Sequence, residues 1–107
     1  MQINVSSKNL EMTQTIEEYA QTKAGKLMRF YDRIEQIDMK IEKTTHGFTV
    51  ELITDVEHHD KIVSTSEDND MYAAIDSCAD KSVRQLSDLK NKLRDHKHHT
   101  PSGGQDR

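Results

Sequence analysis

The 107-residue sequence has no tryptophan, one proline, one cysteine and four glycines. With Cys78 alone no intrachain disulfide can form, which fits a reducing compartment. No apolar run approaches the roughly 18 residues a membrane span requires. The N-terminus MQINVSSKNL lacks the basic-then-apolar order of a secretory signal. The expectation is a cytoplasmic chain with no membrane partner. Aromatics make up 5% of residues, and no strand is rich enough in them to form a base-stacking platform. A Gly-rich phosphate loop, a nucleophile elbow and an identifiable catalytic carboxylate pair are all missing. The expectation is therefore no enzyme, no small-molecule substrate and no cofactor.

Six histidines invite a metal reading, with His58 and His59 in a turn and His96, His98 and His99 near the C-terminus. They show no fixed ligand spacing of the kind a zinc site needs, so no metal is expected.

What is present is periodicity. QINVS alternates and reads as a strand over about 2–6. Ile16, Ala20, Ala24, Leu27 and Tyr31 recur at helical spacing, with Thr13 as N-cap, giving an amphipathic helix over about 14–31. Gly25 inside that helix suggests close approach of a neighbouring backbone. QIDMKIEK and GFTVELIT alternate around TTHG and read as a hairpin. KIVSTS reads as a further strand. Alternation leaves open whether Ile62, Ser64 and Ser66 or Val63 and Thr65 face inward, although small serines suit a closely packed helix. Met71, Ile75, Cys78, Ser82, Leu86, Leu89 and Leu93 form one stripe of a final helix to about residue 95. Cys78 and the pair Phe30 and Tyr31 read as core or core-rim residues. The chain is thus one α+β domain over 1–97, β-α-β-β-β-α, followed by a flexible tail over 98–107.

Charge is unevenly distributed. Residues 1–80 carry 8 Lys/Arg against 16 Asp/Glu, whereas residues 81–97 carry 6 against 2. On a helical wheel with Met71 at zero, Lys81, Arg84 and Lys92 fall at about 280°, 220° and 300°. With Ile16 at zero, Lys26, Arg29 and Arg33 fall at about 280°, 220° and 260°. Lys23 lies nearly on the buried face, so its stem follows the core edge with the amine outside. Two such flanks would make a positive groove or strip suited to phosphate. Basic residues near helix C-termini also suit the macrodipole, so charge alone leaves both readings open.

The segments KLMRFYDRI and DMYAAID…DK…RQL carry a resemblance to the ribosome hibernation promoting factor and ribosome-associated inhibitor family, extending over about 1–97. The resemblance implies a four-stranded sheet with both helices on one face, dsRBD-like. It also implies a non-catalytic translation inhibitor of stationary phase or stress. Such a protein would bind the 30S subunit, through 16S ribosomal RNA, in the channel for messenger RNA and the A- and P-site transfer RNAs. Lys23, Lys26, Arg29, Lys81, Arg84, Lys90 and Lys92 match the family's basic surface, with Arg33 and Arg94 as further positions. The length resembles short forms, which act on single ribosomes or pair them together with ribosome modulation factor. Ser82 stands where an apolar residue is usual, and Asp88 where a basic or neutral one is expected. The alternative is a protein–protein regulator of a sigma-54 transcription system.

Overall fold

A computed structural model describes residues 2–97, with side chains described from 2 to 92. The tail expected over 98–107 lies outside the described residues. The elements are β1 (Gln2–Lys8), α1 (Gln14–Gly25), α2 (Leu27–Phe30), β2 (Ile34–Thr44), β3 (Gly47–Val56), β4 (Ile62–Asp68) and α3 (Met71–Lys97). The strands form one sheet in the order β1-β2-β3-β4. β1 lies parallel to β2, and the other pairs are antiparallel. The two long helices, α1 and α3, cover the same face, as the family resemblance implied.

Alternation sets which side of each strand is covered. Ile37, Met39 and Ile41 of β2 and Val50, Leu52 and Val56 of β3 point into the core. Against them α1 places Ile16, Ala20 and Ala24, and α3 places Ile75, Cys78 and Leu86. Thr13 caps α1 as expected, its hydroxyl accepting from the Ile16 N–H at 3.2 Å.

The expected helix over 14–31 is interrupted at Lys26. That residue keeps right-handed angles, but its N–H reaches back to the Lys23 carbonyl at 3.2 Å, a tightened turn. Gly25 does not serve a close approach, because a Cβ there would meet nothing within 4 Å. Gly47 is the glycine that geometry requires. It has φ +142°, and a Cβ would lie 2.5 Å from the Asp68 carbonyl oxygen.

In β4 the inward set is Ile62, Ser64 and Ser66, leaving Val63 and Thr65 exposed. The serines satisfy their hydroxyls on α3 while allowing it close to the sheet. Ser64 Oγ donates to the Cys78 carbonyl at 3.2 Å, and Ser66 Oγ donates to the Ala74 carbonyl. Ser82, fully buried, is hydrogen-bonded to the Ser64 hydroxyl, so its polarity belongs to this small network. Burial pushes the Cys78 thiol above its ordinary value, and its Sγ lies 3.5 Å from the Val50 carbonyl. Cys78 is a core residue, as its place on the stripe implied.

Candidate nucleic-acid interface

Helices α1 and α3 run in the same direction across the sheet. At one end Tyr19 of α1 meets Tyr72 of α3 edge-on, with ring centroids 4.7 Å apart. α1 lies antiparallel to β1 in the crossover to β2, and α3 runs antiparallel to β4 along the contacts Ser66–Ala74 and Ser64–Cys78. The direction decides how the cationic flanks meet. On a continuous helix both flanks would fall on the same rotational side, but α1 ends before Lys26, Arg29 belongs to α2 and Arg33 follows its exit. In two parallel helices side by side, that side of α1 faces α3, and the same side of α3 faces away from α1.

Lys23 is on the side of α1 that meets α3. Its Nζ lies 3.3 Å from Asp76 Oδ1 and 5.4 Å from the centroid of the Tyr19 ring. The Tyr19 hydroxyl donates to the same Asp76 oxygen at 2.7 Å. Hydrogen bonding to Asp76 raises both the Lys23 amine and the Tyr19 phenol above their ordinary values. Lys26, Arg29 and Arg33 follow along the chain with exposed side chains.

On α3 the flank of Lys81, Arg84 and Lys92 turns to the opposite side, over the outer edge of β4. Lys81 Nζ donates to the Thr65 carbonyl at 2.8 Å, and Gln85 Nε2 donates to the Val63 carbonyl at 3.1 Å. These bonds cover edge carbonyls that would otherwise face a pairing strand. Asp88 sits within this groove, sharing it with Arg84 beside Val63 and with Lys92 beside Ile62 and His59. Lys90 is exposed, and on the wheel it falls on the α1 side of α3. Arg94 belongs to α3, but its side chain lies outside the described residues.

Lys23 thus lies at the contact of α1 with α3 and Lys81 on the β4 edge of α3, so these two cations do not share a groove between the helices. Sequence reasoning missed Asp76, the residue that engages Lys23. Its wheel position near 140° is the one available signal, and it requires the helix direction to be interpreted. Phe30 corrects a second expectation. Tyr31 is buried, but Phe30 is 43% exposed, because Leu27 and Tyr31 already occupy the inward side of α2 and its exit.

The model of the family described as "Sigma 54 modulation protein / S30EA ribosomal protein" matches residues 3–94. The chain belongs to this family. It is 40% identical over 101 residues to a ribosome hibernation promoting factor of Salmonella typhimurium, covering 90% of this chain and 100% of that protein. The crystal structure of the N-terminal domain of Protein Y from Thermus thermophilus is 27% identical, with a TM-score of 0.74 over 83% of this chain and 99% of that one. A ribosomal subunit interface protein from Coxiella burnetii superposes with a TM-score of 0.78 at 21% identity, covering 85% and 99% respectively. That last likeness is one of fold. No helix among the described residues of this family member is long and apolar enough to cross a membrane.

Proposed function

We propose that the chain is a ribosome hibernation factor. It binds the 30S subunit within the 70S ribosome, in the channel that messenger RNA and the A- and P-site transfer RNAs use, and so silences translation. The observation that carries this reading is the 40% identity to a hibernation promoting factor over that relative's entire length. The curated relatives are named for the ribosome, which favours this reading over sigma-54 regulation.

The interface consists of Lys26, Arg29 and Arg33 on one patch and Lys81, Arg84 and Lys92 on the other, with Lys23, Lys90 and Arg94 contributing at their margins. These cations neutralise ribosomal RNA phosphates. Inhibition then needs only occupancy of the channel, with no catalytic step, and the protein works in the cytoplasm where ribosomes are. Two such patches suit a body that bridges two stretches of RNA backbone and recognises shape more than base sequence.

Competition on purified 30S subunits tests this directly. Added protein is expected to displace messenger-programmed P-site transfer RNA in proportion to its own binding. Simultaneous, undiminished binding of protein and transfer RNA would refute the channel assignment.

A further inference from the structure

Among the described residues, two large hydrophobic side chains stand exposed: Val63 at 48% and Phe30 at 43%. Val63 is explained by the sheet. It lies on the face away from the helices and pairs in register with the half-buried Ile53. Phe30 closes the short helix α2, off the sheet.

Its surroundings are cationic. Lys26 lies four residues earlier, one turn away on the same side of the helical segment. Arg29 precedes it directly, and Arg33 follows within the exit from α2. All three side chains are exposed, and Asp32 is the one acid in the run from Lys26 to Arg33. An exposed ring in a short stretch that also carries three exposed cations suits a flat partner carried on an anionic backbone. Neither a lipid surface nor an acidic protein helix supplies a ring-sized planar face beside spaced negative charges. An unpaired nucleotide supplies both.

We infer that Phe30 stacks on an unpaired base of the RNA bound by this domain, with Lys26, Arg29 and Arg33 holding the flanking phosphates. This inference rests on the ribosome-binding reading and adds to it. Charge complementarity fixes the orientation of the domain, and the stack adds one contact that requires a base to be free of its helix.

The test compares Phe30→Leu and Phe30→Trp in the full chain, by equilibrium binding to 30S subunits over a range of salt. Leucine keeps apolar bulk without a π-face, and tryptophan keeps the face. Phe30→Leu is expected to weaken binding about tenfold, within the range of a single base–aromatic stack. Phe30→Trp should bind as well as the unsubstituted chain. The salt slope should not change, because no charge is lost. Both variants should melt like the unsubstituted protein, since the ring is exposed. Two results would overturn the stack alone: equal binding by all three proteins, or normal binding by leucine with loss by tryptophan. The second is the signature of an apolar protein pocket. If the unsubstituted chain fails to bind subunits at all, the ribosome reading falls and the stack falls with it.

Discussion

The Tyr19 hydroxyl and the Asp76 carboxylate meet at 2.7 Å across the two helices, and Lys23 approaches the same carboxylate oxygen at 3.3 Å. This cluster joins α1 to α3 at the rim of the core, and it holds one of the candidate RNA-binding cations in an internal ion pair.

The cluster predicts an alkaline weakness. The folded state holds Tyr19 and Lys23 protonated above their ordinary values of 10.0 and 10.5. Their contribution is therefore whole below about pH 9 and is lost as pH rises through the folded-state values. Thermal melts from pH 8 to 11 should show stability falling above about pH 10, and Asp76→Ala should flatten that fall. An identical alkaline slope in the variant would show that the cluster does not act this way.

Cations on one helix should not be equivalent. Lys23 is partly neutralised by Asp76, whereas Lys26 and Arg29 are exposed and have no ion-pair partner among the described residues. Titrations against 30S subunits should show Lys26→Gln and Arg29→Gln each weakening binding several-fold, and Lys23→Gln weakening it less than either. A larger loss for Lys23→Gln would mean that binding breaks its pair with Asp76.

At Gly47 the backbone requires glycine. Gly47→Ala adds a positive-φ penalty to a backbone clash at 2.5 Å. It should cost about 2 kcal/mol or more and lower Tm by roughly 8 °C or more. A melt within a degree of the parent would contradict the turn geometry.

Thr54 tests the core from the other side. It is fully buried, and its Oγ1 meets no hydrogen-bonding partner among the described residues. Thr54→Val keeps the shape and removes the hydroxyl. It should raise stability by about 1 kcal/mol, seen as a higher denaturation midpoint at unchanged m-value. A lower midpoint would mean that the hydroxyl is satisfied in solution.

Much of the fold is legible in the sequence because alternation and helical stripes are local signals. Ile37, Met39 and Ile41 announce the inward face of β2, and the stripe from Met71 onward announces α3. What stays hidden depends on a partner element. The strand Ile62–Asp68 has two plausible faces, and the close approach of α3 selects the serine face. The break at Lys26 is marked by no proline, and nearby Gly25 fits its surroundings without explaining it. The candidate site is legible as composition but not as arrangement. Lys81 and Lys26 share a wheel angle, yet Lys81 reaches the sheet edge while Lys26 sits at the break where α1 ends. Asp76 and Phe30 acquire meaning only once α2 and α3 are placed.

Co-sedimentation with purified 30S subunits at rising salt tests the central claim, that exposed cations on both patches bind ribosomal RNA. The unsubstituted chain should pellet with subunits at low salt and be released steeply as salt rises. Lys81→Glu combined with Arg84→Glu should lower the log–log salt slope by about 2 and release the protein at lower salt. Failure to bind at low salt, or binding unaffected by that double substitution, would contradict the account.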